Sequence, residues 1–111
     1  MDIAKIASEV LNLEANELRR QASLVGSEFQ KAVNLIYNCK GKLIVTGVGK
    51  SGHIGAKIAA TLASTGTPSF FIHPTEAMHG DLGMIGSEDA VLAISYSGES
   101  AELLAILPHI K

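Results

Sequence analysis

Residues 44–55 read Ile-Val-Thr-Gly-Val-Gly-Lys-Ser-Gly-His-Ile-Gly, and this stretch predicts a strand, a glycine loop and a helix in succession. The run Leu43–Val45 is short, apolar and β-branched, as expected for a buried parallel strand. Three glycines follow, and a helical pattern begins at about His53. Backbone N–H groups of such a loop face outward and the helix dipole favours negative charge. The stretch therefore predicts an anion site, and the simplest anion is a phosphate.

The glycine loop nearly matches the dinucleotide-binding pattern. Gly47, Gly49 and Gly52 satisfy G-x-G-x-x-G. That pattern also requires an acidic residue about 20 positions further on, to hold the ribose. His73 stands in that region, and Glu76 comes only after a proline. We therefore expect no nicotinamide cofactor.

The same loop resembles the end of a nucleotide P-loop. Gly49-Lys50-Ser51 fits the last three positions of that motif, but Ile44 stands where its first glycine belongs. A nucleotide P-loop is therefore not expected, although Lys50 adds a positive charge within the predicted loop. The alternative is an ordinary strand-to-helix turn whose glycines allow close packing.

Length and composition predict one small soluble domain. The chain has 111 residues, of which 47% are hydrophobic and 18% charged. A net charge of -2 gives no electrostatic reason to expect nucleic acid or an anionic membrane surface as a partner. Cys39 is the single cysteine, and the chain opens without a basic, apolar leader. We expect a cytoplasmic protein.

Two helices are predicted before the first strand. Asp2 is a candidate cap for a helix that continues to about Leu24. Ser27–Gln30 matches a capping box for a second helix, which Lys40 and Gly41 would end, the glycine in a left-handed conformation. An apolar stripe on the first helix favours packing against a second subunit. Its members are Ile3, Ile6, Ala7, Val10, Leu11, Leu13 and Leu18.

Strands alternate with helices in the remainder of the chain. Phe70–Ile72 and Ala90–Ile94 read as a second and a third strand, and Gly66 is a candidate cap for the helix between the first two. The order predicts an α/β fold with a parallel sheet. Three strands make a narrow sheet, so we expect these residues to be the front portion of a longer domain.

A second loop, Ser95–Ser100, follows the third strand and precedes a predicted helix. Its three serines supply hydroxyl donors for the many oxygens of a phosphate, and Gly98 leaves room for a ligand. In the alternative interpretation, one of these serines only caps the helix. Both loops and the segment Met78–Asp81 should lie at the carboxyl edge of the sheet, where ligands bind in such folds.

These motifs together resemble the sugar isomerase (SIS) domain, and within it the D-arabinose 5-phosphate isomerase family. The resemblance is strong over residues 38–111 and loose over the leading helices. The matching segments are Gly47–Gly55, Ala63–Phe71, His79–Met84 and Ser95–Glu102.

The resemblance implies a flavodoxin-like, three-layer parallel sheet and a homotetramer. It divides the chain into leading helices at 1–40 and a phosphosugar-binding part at 41–111, both within one SIS domain. It implies interconversion of D-ribulose 5-phosphate and D-arabinose 5-phosphate, which feeds 3-deoxy-D-manno-octulosonate and lipopolysaccharide synthesis. The family's later histidine and CBS modules would follow Lys111, so we expect the 111 residues alone to lack part of the active site. Tyr96 stands where related domains often carry an amide.

The resemblance also assigns site residues. It matches Lys50, His79 and Glu102 to the family's active site and the serine loop to its phosphate site. The predicted phosphate-binding residues are Ser51, Ser95, Ser97 and Ser100.

The chemistry of these side chains fits isomerisation. The reaction needs a base at the carbon beside the carbonyl, a group that moves protons between oxygens, and a charge that holds the enediolate. A carboxylate, an imidazole and a lysine suffice, so no metal is expected. The alternatives are a phosphosugar-binding regulatory domain without turnover, which would not need all three groups, and an isomerase of another sugar phosphate.

Overall fold

A computed structural model describes residues 1–78 and 81–97. Helices and parallel strands alternate from residue 43 onward, which confirms the predicted α/β class. The elements in chain order are α1 (Ile3–Leu24), α2 (Ser27–Tyr37), β1 (Leu43–Gly47), α3 (Lys50–Ser64), β2 (Ser69–Phe71), α4 (Pro74–Met78), a short 3₁₀ helix (Asp81–Met84) and β3 (Ala90–Ile94).

Residues 1–34 form a compact unit made of α1 and the start of α2. The Asp2 carboxylate accepts a hydrogen bond from the Lys5 backbone N–H at 3.0 Å, so the predicted cap is confirmed. This bond satisfies one of the donors that the first turn of a helix leaves open. No residue of α1 is buried, and its large apolar side chains are exposed.

The start of α2 differs by one residue from the predicted capping box. The Gln30 backbone N–H donates to the Gly26 carbonyl at 3.1 Å, which makes Gly26 the cap position and Ser27 the first helical residue. Glycine is tolerated at this position because the residue before the first turn is not itself helical.

The predicted left-handed role of Gly41 is wrong, because among the described residues only Gly49 and Gly66 have positive φ. Close packing explains this glycine instead. Its N–H donates to the Glu88 carbonyl at 2.9 Å, and an added Cβ would lie 2.7 Å from that same oxygen and overlap the Asp89 carboxylate. Gly41 therefore lets the chain before β1 lie against the turn before β3.

The residues from 35 onward form the second unit, built on a parallel sheet in the order β2-β1-β3. β1 is the central strand and is buried along its whole length. Leu43 and Val45 pack with Ala59 of α3 on one face, while Ile44 packs with Ile72 on the other. The continuous apolar run of β1 follows from this position, since a central parallel strand is covered on both faces.

The second strand lies one residue earlier than predicted. Its described bounds are Ser69–Phe71, but the Ile72 backbone N–H still donates to the Val45 carbonyl at 2.9 Å. The pattern of apolar side chains in the sequence could not distinguish a strand at Phe70–Ile72 from one at Ser69–Phe71.

The turn before β3 is held by Asp89. Backbone N–H groups of Lys42 and Gly86 each donate to its carboxylate at 2.7 Å, and these bonds hold the pKa of Asp89 below its ordinary value. Because the folded-state pKa is the lower one, the stabilisation is complete above the unfolded-state pKa. It is lost as the pH falls through the folded-state value.

Gly66 ends α3, as predicted. It has φ +104°, and the Thr67 N–H beyond it donates back to the Leu62 carbonyl at 2.9 Å. A left-handed glycine with this returning bond is a Schellman motif, which satisfies carbonyls that the last turn leaves open. The chain then turns directly into β2.

Candidate active site

The sheet order creates a topological switch point between β1 and β3. From β1 the chain passes to β2 on one side, and β3 then pairs with β1 on the other side. Gly47, the last residue of β1, is the register partner of Ile94, the last residue of β3. In open parallel sheets, ligands bind outside the carboxyl ends of the strands at such a point. The loops after β1 and β3 therefore flank the expected ligand position.

The helix after β1 begins three residues earlier than predicted. Gly49 is its cap, with φ +64° and ψ −130°, a conformation that glycine adopts without strain. The His53 N–H donates to the Gly49 carbonyl at 3.1 Å as the first helical bond. Lys50 and Ser51 therefore lie in the first turn of α3 and not in the loop, because the single left-handed residue already completes the turn out of β1.

This first turn carries positive charge without compensation from its own residues. Lys50 is the first helical residue and is exposed, and the turn contains no acidic side chain. The positive end of the helix dipole coincides with the lysine, an arrangement that is unfavourable unless an anion binds there. Local rules of this kind are broken chiefly at functional sites. The arrangement favours the anion-site interpretation over an ordinary turn.

Two of the loop glycines have a packing role, as the alternative interpretation proposed. A Cβ on Gly52 would lie 2.7 Å from the Gly47 carbonyl oxygen, and one on Gly47 would lie 3.0 Å from the Ile94 carbonyl oxygen. These glycines bring α3 close to β1, and β1 close to the end of β3. Gly49 is different, because an added Cβ would meet nothing within 4 Å and only its φ requires glycine.

The replacement Gly52→Ala is expected to destabilise the protein by about 1–3 kcal/mol, because backbone atoms must move to accept the methyl group. Chemical denaturation measures the effect. Gly83→Ala is the matched control, since a Cβ there meets nothing within 4 Å and Gly83 does not have positive φ. Equal stability of the two variants would contradict the packing role of Gly52.

The serine loop begins where predicted, directly after β3. Ser95 is half-buried, whereas Tyr96 and Ser97 are exposed. Both serines already take part in interactions within the protein. The other predicted site residues lie outside the described ranges 1–78 and 81–97: His79, Gly98, Ser100 and Glu102.

A cavity of about 280 Å³ opens beside the start of α3, on the side of β2. Its described lining includes Gly49 and Gly52 of the glycine loop, together with His73 after β2. The sequence analysis noted His73 only in the region where the dinucleotide pattern needs an acidic residue and did not place it in the site. The position of His73 directly after a predicted parallel strand could have indicated that it lies at the ligand-binding edge of the sheet. The remaining described lining residues are His53, Ala56 and Phe71.

No group of three or more His, Cys, Asp or Glu side chains within 1–78 and 81–97 is placed to hold a metal ion. No helix in this part of the chain is long and apolar enough to cross a membrane.

Fold and site together define an open parallel α/β domain whose candidate site lies at the carboxyl ends of its strands. Residues 35–111 match the family model of the SIS domain, and the chain belongs to that family. The predicted resemblance is thereby confirmed. The match begins within α2, so the inclusion of residues 1–34 in the same domain stays a prediction.

Known relatives agree with this assignment. Arabinose 5-phosphate isomerase GutQ of Salmonella typhi is 58% identical over 103 residues, which are 93% of this chain and 32% of the relative. Arabinose 5-phosphate isomerase KdsD of Yersinia pestis is 52% identical over 111 residues, which are 100% of this chain and 34% of the relative. The chain thus spans about a third of the length of these curated relatives.

A solved structure, that of E. coli CFT073 c3406 in complex with arabinose 5-phosphate, is similar with a TM-score of 0.81 and 47% identity. The match covers 98% of this chain and 60% of that one. The described sheet and helices are therefore those of a known phosphosugar-binding relative.

Proposed function

We propose that this chain is part of an aldose–ketose isomerase that interconverts D-ribulose 5-phosphate and D-arabinose 5-phosphate. The observation that carries the proposal is the 58% and 52% identity to two arabinose 5-phosphate isomerases over nearly the whole chain. The product would feed 3-deoxy-D-manno-octulosonate and lipopolysaccharide synthesis. A cytoplasmic location and the absence of a cofactor and metal stay predictions.

The proposed site uses the switch point for the phosphate. Ser51 in the first turn of α3 and the serines after β3 would donate to its oxygens, next to the positive helix end. Lys50 would hold negative charge, with His79 and Glu102 transferring protons. The serines of the second loop are Ser95, Ser97 and Ser100.

An isomerase assay on the whole protein tests this function. Ribulose 5-phosphate should be converted to arabinose 5-phosphate, with exchange of a carbon-bound proton for solvent deuterium. Tight binding of the sugar phosphate without conversion or exchange would favour a regulatory phosphosugar-binding domain. Conversion of a different sugar phosphate, without conversion of ribulose 5-phosphate, would favour an isomerase of another sugar phosphate.

Ser97→Ala is expected to weaken binding of arabinose 5-phosphate about 10- to 100-fold, because a hydrogen bond to a charged group contributes about 1.5–3 kcal/mol. Isothermal titration calorimetry measures the affinity. Ser64→Ala is the control, since that exposed hydroxyl donates to the Thr61 carbonyl at the opposite end of α3. Unchanged affinity in Ser97→Ala would remove this serine from the phosphate site.

We also infer that the protein assembles into a homo-oligomer, a dimer or a tetramer, through its leading helices. The support is the exposed apolar surface of α1, where Ile3 and Leu13 are 75% and 71% exposed. Contiguous exposed apolar surface commonly marks an interface. Leu11→Glu together with Leu18→Glu should shift the sedimentation profile at micromolar concentration towards smaller species. A wild-type protein that sediments as a monomer would contradict the inference.

A further inference from the structure

His73 is held in one orientation by the turn that it begins. It lies directly after β2 and before Pro74, the first residue of α4. Its Nδ1 atom accepts a hydrogen bond from the Thr75 backbone N–H at 3.1 Å, so the imidazole caps α4. The proline fixes the extended backbone of the preceding residue and helps to set the position of the ring.

This hydrogen bond also assigns the tautomer of the ring. In a neutral imidazole, one nitrogen accepts and the other carries the proton. Because Nδ1 of His73 accepts from Thr75, the proton of the neutral ring is on Nε2. His73 lines the cavity beside α3. Within residues 1–78 and 81–97 the hydrogen bond found for the ring is the one at Nδ1, so Nε2–H is the donor that the ring can offer to a ligand.

The cavity extends from this histidine to the start of α3. Its lining includes Gly49 and Gly52 at the helix start and Phe71 and His73 at the end of β2. The serine loop lies beyond β1, at the end of β3. Adjacent strands are about 4.8 Å apart, so about 10 Å separates β3 from β2. An extended five-carbon sugar phosphate has a comparable length.

We propose that His73 is a substrate-binding residue whose Nε2–H donates a hydrogen bond to an oxygen of the sugar. The inference rests on the proposed function and deepens it, because it places the carbon chain of the substrate in the cavity at the end of β2. The phosphate then lies at the switch point and the sugar extends towards β2. His73 performs no proton transfer in this arrangement, and it fixes the position of the sugar.

His73→Asn separates this role from capping. An asparagine side chain accepts readily from the backbone N–H two residues later, so the cap on Thr75 is kept. The shorter side chain removes the donor at the Nε2 position. His73→Ala removes both the cap and the donor, and its thermal melting shows how much the cap contributes.

The test compares calorimetric binding of arabinose 5-phosphate and of inorganic phosphate to the whole protein. For His73→Asn we expect about tenfold weaker binding of the sugar phosphate, as for the loss of one hydrogen bond, with unchanged binding of inorganic phosphate and unchanged melting. Wild-type affinity for the sugar phosphate in this variant would overturn the inference and leave His73 as a cap. An equal loss of affinity for the sugar phosphate and for inorganic phosphate would also overturn the inference, since the substitution would then act through the phosphate site.

The proposed function fails in a different way. A wild-type protein that binds inorganic phosphate but no sugar phosphate would contradict the isomerase itself, whatever the variants do. The inference about His73 would fall with it.

Discussion

Replacing Lys50 with methionine is expected to lower turnover about 10²–10³-fold, the typical cost of removing one group that stabilises a developing oxyanion. Lys50 is the first residue of α3 and is exposed beside the glycine loop, so its ammonium can approach a ligand at the switch point. Methionine keeps an unbranched chain of similar length and removes the charge. Steady-state kinetics on the whole protein measures the change in kcat.

Lys57→Met is the matched control, because Lys57 is also exposed on α3 but lies about two turns further along the helix. It should keep turnover near the wild-type level. Lys50→Arg keeps the charge and should recover part of the activity lost in Lys50→Met. If Lys50→Met turns over like Lys57→Met, the lysine only adds to the general positive charge at this helix end.

The local elements were predictable because their signals are local. The apolar run of β1 and the glycine cap at Gly66 each depend on a few neighbouring residues, and both are confirmed. The start of α3 was not predicted at Lys50, because two glycines in its first turns weaken the helical pattern. They are there for close packing of the helix on β1, which depends on residues elsewhere in the chain.

Long-range features could not be read from the sequence. The order β2-β1-β3 places the switch point, and a pattern of strands and helices is compatible with other orders. Gly41 illustrates the same limit. Its local context predicted a helix cap, whereas its actual requirement comes from Glu88 and Asp89, which are distant in sequence. His73 belongs to the site through a cavity that exists only once α3 lies on β2.

The site itself was predicted from motifs, and the described residues support only part of it. Lys50 and Ser51 start the helix beside the switch point, and Ser95 and Ser97 follow β3. His79 and Glu102 lie outside the described residues, so their roles rest on the resemblance and on the chemistry of isomerisation. The experiment on Glu102 therefore carries the most information about the mechanism.

Glu102→Gln is expected to lower turnover about 10²–10⁴-fold, the usual contribution of a positioned group that transfers a proton. The proposed reaction removes a proton from the carbon beside the carbonyl, and a carboxylate is the base available in the predicted segment after the serine loop. Glutamine has nearly the same shape and cannot accept that proton. Steady-state kinetics and loss of the substrate's carbon-bound proton to deuterated solvent measure the effect.

Two further measurements decide whether Glu102 acts on the proton itself. Affinity for the sugar phosphate should remain near the wild-type value, because binding depends on the serine loop and the positive end of α3. Glu88→Gln is the control, an exposed carboxylate before β3 and at the opposite end of that strand from the serine loop, and it should retain both turnover and exchange. If Glu102→Gln still exchanges the proton at nearly the wild-type rate, the carboxylate is not the base. The role then passes to His79 or to another group of the whole protein, and Glu102 is left as an acidic residue at the start of a predicted helix.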